Sequence, residues 1–148
     1  MFCIRGKRAA VAVVLLSLAA CGEKVQGPAR KPTSPVTGEV YVDGQPVTDL
    51  QVTCHDVKGL DKANPTDSLA ITDEEGSFAL RTYVEGDGVP PGDYVMTFYW
   101  GINKPGRGRY EGPDKLDGRY DDPKTSQVKF TVDIGTPTDL GRIELTTK

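Results

Sequence analysis

Histidine is almost absent from this chain of 148 residues, which holds one His, one Trp and three Cys. A zinc centre needs three or four converging nitrogen, sulfur or carboxylate ligands, so a single histidine excludes the His-rich catalytic sites. A Ser-His-Asp triad would have to use His55, and nothing near it resembles a nucleophile elbow. Basic excess is lacking as well. The formal net charge is −3, and nucleic acid, which requires a basic face, is not an expected partner. Helical periodicity is missing after residue 20. Long apolar runs are missing too, with one exception. Residues 9–20 (AAVAVVLLSLAA) form twelve residues without a charge, too short for the ~20 that a membrane-spanning helix needs.

That run has an informative context. Residues 1–8 (MFCIRGKR) carry Arg5, Lys7 and Arg8 and no acid. A basic stretch followed by an apolar one of this length is the pattern of an export signal. The run ends in Leu18-Ala19-Ala20-Cys21, which resembles the lipobox of bacterial lipoproteins. The resemblance implies cleavage after Ala20, a diacylglyceryl thioether on Cys21, and an acyl chain on the freed amine. Each buried methylene contributes about 0.8 kcal/mol, and two or more chains hold a protein on a bilayer. Gly22 in place of an acid after the cysteine points to the outer membrane in bacteria that sort this way. The expected address is therefore exported and lipid-anchored, with the domain in the periplasm or at the cell surface.

The expected organisation has three parts: a signal over 1–20, a lipidated N-terminus and tether over 21–35, and a domain over 36–148. Removing the signal leaves fifteen basic and twenty-one acidic residues, a net −6. Cys3 leaves with the signal and Cys21 is acylated, so Cys54 has no internal disulfide partner. Cys54 stands in phase with Leu50 and Val52, which reads as a small hydrophobe on a core face. Residues 22–35 (GEKVQGPARKPTSP) are polar, contain three prolines, and read as an extended tether. Fourteen residues reach at most about 45 Å at roughly 3.3 Å each.

From residue 36 the apolar period becomes two, the signature of half-buried strands. Val40 and Val42 alternate with polar neighbours, and Asp43-Gly44 follows. That pair marks a two-residue hairpin turn, whose central positions need positive φ. Further strands are read at Leu50–Cys54, Leu69–Ile71, Phe78–Leu80, Asp93–Trp100, Val128–Val132 and Ile143–Leu145. Seven short strands with turns rich in Gly and Pro predict an all-β sandwich.

The segments TGEVYVDGQPVTDLQVTC, ITDEEGSFAL and PPGDYVMTFYW together resemble the carboxypeptidase regulatory-like domain, a transthyretin-like (prealbumin-like) β-sandwich. The pattern rests on Gly38, Val40, Gly44, Pro46 and Val47, then Thr72, Asp73, Gly76 and Phe78, then Pro90, Pro91, Gly92 and Tyr94. Residues 119–126 (RYDDPKTS) are similar to a segment of small bacterial lipoproteins that carry this domain. The resemblance implies an accessory or surface-exposed folding module with no catalytic residue and no cofactor. Transthyretin-like enzymes that hydrolyse 5-hydroxyisourate use several histidines and a C-terminal Tyr-Arg-Gly-Ser. This chain ends Ile-Glu-Leu-Thr-Thr-Lys.

No metal site is expected. Asp73, Glu74 and Glu75, and Asp117, Asp121 and Asp122, form acidic turns without the ligand spacing of an EF-hand. The segment 101–127 has no strand pattern and is long for a compact domain, so it is the place to look for binding. Tyr110, Arg119 and Tyr120 are its candidate anchors, being residue types that dominate interfaces. The other reading of this segment tucks Leu116 and Tyr120 against the sandwich edge. The expected role is a non-catalytic envelope lipoprotein binding a protein or a glycan. The alternatives are an accessory subunit of an envelope hydrolase and a calcium-dependent binding module.

Overall fold

The computed structural model describes residues 29–103 and 110–148; the signal and Cys21 lie outside them. Ten strands follow one another: β1 Val36–Val42, β2 Gln45–Pro46, β3 Gln51–Asp56, β4 Ser68–Ile71, β5 Ser77–Ala79, β6 Gly92–Tyr99, β7 Ile102–Asn103, β8 Tyr110–Glu111, β9 Lys129–Val132 and β10 Thr138–Leu145. The seven expected strands are present, and β2, β7 and β8 are short additions. One four-stranded sheet has the order β10-β1-β2, with β5 also paired to β1; the other runs β4-β3-β6-β9. β7 and β8 form a separate two-stranded antiparallel sheet. The fold is a β-sandwich, as the alternation predicted.

Each sheet buries one face because its strands alternate. Along β1, Val36, Val40 and Val42 are buried while Thr37 and Glu39 face water. Leu50, Val52, Cys54, Phe78, Leu80, Met96, Phe98, Val132, Ile143 and Leu145 complete the interior between the sheets. Tyr94 stacks on Phe130 with ring centroids 5.7 Å apart. Asp43 and Gly44 both take positive φ, 49° and 80°, as the hairpin turn requires. β6 departs from simple alternation: Tyr94 to Phe98 are all buried. On its outer face the His55 ring meets Thr97, Nε2 to Oγ1 at 2.8 Å, while along the strand's edge Val128 O and Tyr120 O accept hydrogen bonds from Met96 N and Phe98 N.

One long-range pairing closes the domain, and one segment extends the body beyond the expected domain limits. β1 and β10 pair in parallel, Val40 beside Ile143 and Val42 beside Leu145, so the two ends of the domain close one sheet. Ahead of β1, Ser34 is fully buried. Its N–H donates to Val89 O at 2.9 Å and its carbonyl accepts from Val89 N at 3.0 Å. Its hydroxyl donates to Asp133 O and accepts from Gly135 N, both at 2.9 Å. Lys31 pairs with Asp61 at 2.7 Å, and Asn64 donates to Ala29 O at 2.8 Å. Residues 29–35, expected as the last part of the tether, are packed onto the sandwich.

Candidate functional site

The segment after β6 is built around a carboxylate. Asp114 accepts from the backbone N–H groups of Trp100 at 2.9 Å, Leu116 at 3.0 Å and Gly118 at 3.0 Å. That satisfies two donors of its own turn and ties the turn to the end of β6, and Leu116 lies in the interior with no exposed surface. Arg119 is exposed and Tyr120 is half-buried. The Tyr120 ring meets Phe98 edge-on, with centroids 6.4 Å apart, and its oxygen accepts from Thr146 N at 3.0 Å. Tyr120 thus braces the C-terminal strand. It does not join Arg119 in one exposed anchor. The backbone of Tyr110 belongs to β8. Tyr120→Phe should cost about 1 kcal/mol, the usual worth of such a bond. Hydrogen exchange should then quicken at residues 145–148, and an unchanged exchange rate there would remove the bracing role.

Two concavities lie elsewhere among the described residues. The smaller, about 330 Å³, is lined by Cys54, His55, Asp56, Asp67 and Tyr94 among others. It collects most of the groups that could do chemistry. His55 lies on the outer face of β3, as its phase predicted, and its Nε2 hydrogen-bonds to Thr97 Oγ1 at 2.8 Å. Burial lowers the His55 pKa, with Asp67 opposing, so the ring favours the neutral form. Burial pushes the Cys54 thiol far up, which leaves it protonated and without thiolate reactivity. The Tyr94 hydroxyl is also pushed up by burial and donates to Pro90 O at 2.7 Å. His55, Cys54 and Tyr94 are therefore each hydrogen-bonded or neutral. Among the described residues, no three His, Cys, Asp or Glu side chains are grouped to hold a metal ion.

The larger concavity, about 730 Å³, is lined by parts of β1, β4, β5 and β10. Thr37, Ser77 and Ala79 give it small side chains, and Glu39, Arg81 and Arg142 give it charges of both signs. Its chemistry suits a polar partner. Three half-buried aromatic rings each carry a cation: Arg142 over Tyr41 at 3.7 Å, Lys115 over Trp100 at 4.2 Å, and Arg30 over Tyr83 at 5.3 Å. Sequence reasoning missed this pattern because the cations of two pairs come from distant parts of the chain.

No protein-family model matches the chain, and no curated protein matches it. Solved structures similar to it include the following two. A DUF3823 family protein from Parabacteroides merdae aligns with 79% of this chain and 46% of its own, at 15% identity and a TM-score of 0.39. The chain thus spans less than half the length of that protein. The dioxygenase domain of a dioxygenase and carbohydrate-binding protein fusion from the cellulolytic bacterium Streptomyces sp. SirexAA-E aligns with 82% of this chain and 85% of its own. That match has 17% identity and a TM-score of 0.40.

Proposed function

We propose that this protein is a bacterial lipoprotein, held in the outer membrane by acyl chains on Cys21. From that anchor it displays a non-catalytic β-sandwich of the carboxypeptidase regulatory-like type, a binding module for an envelope protein. The observation that carries the reading is Leu18-Ala19-Ala20-Cys21 closing a charge-free run, eight residues ahead of the packed body at residue 29. A protein partner fits better than a glycan. Sugars stack on open aromatic faces, and here the half-buried rings already hold Arg142, Lys115 and Arg30. Arg beside Tyr or Trp is instead the composition of protein interfaces.

The test is Cys21→Ser in a bacterial host. Fatty-acid labelling should vanish completely, and the intact mass should be that of the uncleaved chain. Membrane retention alone is an inadequate readout, because the uncut apolar run would itself hold the precursor on the bilayer. A variant that is still cleaved after Ala20 and still labelled would overturn the anchor.

A further inference from the structure

The molecule has two ends, defined by β6, which runs from Gly92 at one to Tyr99 at the other, roughly 25 Å along a strand of this length. The Gly92 end is built from four segments: 29–35, 57–67, 81–91 and 133–137. They are tied together by the bonds of Ser34 to Val89, Asp133 and Gly135. Lys31 adds a bond to Tyr83 Oη at 2.9 Å and the Asp61 pair. The chain enters the sandwich at this end.

The exposed large hydrophobic residues are not evenly spread. Six are present among the described residues, and four of them, Val57, Leu60, Val84 and Ile134, lie in loops of the Gly92 end. They are 55–66% exposed, each bare to solvent. Charge is uneven too. The four segments carry five basic and five acidic residues, so the net −6 that follows the signal lies elsewhere on the chain. Four exposed apolar side chains on loops of one end give that end the more apolar surface of the two. The neutral end is also the one least repelled by anionic lipid.

We infer that this end docks on the bilayer that holds the Cys21 acyl chains, with Val57, Leu60, Val84 and Ile134 at the headgroup level. The inference rests on the lipoprotein reading. Seven residues, 22–28, and so eight chain steps, separate the acylated cysteine from the packed chain at residue 29. They span at most about 26 Å at roughly 3.3 Å each. The entry end is thereby kept close to the membrane, and its apolar side chains meet a surface at very high effective concentration. The Trp100 end, with the cation-covered rings of Trp100 and Tyr41 near it, is turned to the partner.

Trp100 is the chain's one tryptophan and sits just past the far end of β6, so it reports on orientation without any substitution. The acylated protein is reconstituted into vesicles of phosphatidylethanolamine and phosphatidylglycerol containing lipid brominated high in the acyl chain. Trp100 emission should be unquenched. Leu60→Trp in a Trp100→Phe background, with the fold checked by circular dichroism, should lose emission to the bromolipid. A chain that fails to float with the vesicles overturns the anchor and this inference with it. A chain that floats with Trp100 quenched, or with the Leu60→Trp indole unquenched, overturns the orientation alone.

Discussion

Gly88→Ala should destabilise the domain by about 4–7 kcal/mol and release its N-terminal segment. Gly88 takes φ +83°, and a Cβ placed there would lie 1.7 Å from Ser34 O and 2.3 Å from its carbonyl carbon. The left-handed conformation alone costs a side chain about 1–2 kcal/mol. The clash is with backbone, which has no rotamer to escape into, and forced displacement in a packed site costs about 1–3 kcal/mol. Ser34 must move, and moving it breaks both of its bonds to Val89, each worth about 1 kcal/mol. Gly86→Ala is the control. Gly86 has φ +72° and open space around its Cβ position, so only the conformational cost should appear. Denaturant midpoints give the energies, and hydrogen exchange at residues 29–35 locates the effect. A Gly88→Ala loss no larger than that of Gly86→Ala would show that Ser34 is not held where the structure places it. The change also reaches function. With residues 29–35 free, the reach from Cys21 to the first packed residue grows from about 26 to about 50 Å, and the entry end is no longer kept at the membrane.

What could be read from residues alone follows from what each pattern reports. β1 and β3 were legible because one face of each is wet, and Thr37, Glu39, Thr53 and His55 mark that face in the sequence. β6 was legible as a strand but not as one covered on both sides, since Val95 and Thr97 do not announce what packs over them. The two-residue strands β2, β7 and β8 have no period to detect. The parallel pairing of β1 with β10 joins residues about a hundred apart, and nothing local encodes a neighbour that distant. Ser34 is the clearest case. A serine in the tract Lys31-Pro32-Thr33-Ser34-Pro35 has the composition of a linker. It is buried because groups 99 and 101 residues away satisfy its hydroxyl. Cys21 was legible for the opposite reason, because processing reads it as a linear peptide. The end surface of Val57, Leu60, Val84 and Ile134 comes from three loops, and only the fold brings them together.

Phe78→Ala should cost about 3–5 kcal/mol, the range for removing a buried aromatic ring. Phe78 is 4% exposed and pairs with Gly38 across the β1-β5 ladder. The two positions are complementary in shape. A Cβ on Gly38 would lie 2.8 Å from the Phe78 ring Cζ and 3.2 Å from Gly141 O. Gly38→Ala should therefore be destabilising by about 1–3 kcal/mol, as overpacking is. Glycine in a strand is otherwise the weaker choice, by about 0.5–1 kcal/mol relative to alanine. Once the ring is gone the ring clash is gone, and only the Gly141 contact resists. In the Phe78→Ala background, Gly38→Ala should then be close to neutral or stabilising. The double variant should exceed the additive expectation by about 1–3 kcal/mol, as for residues in direct contact. Urea unfolding of the four species measures that coupling. Additive losses would mean that the ring does not rest on Gly38, and the register of β5 on β1 would have to be redrawn. A coupling of the expected sign ties the missing side chain at Gly38 to the large one at Phe78, two positions that the sequence motif contains but does not connect.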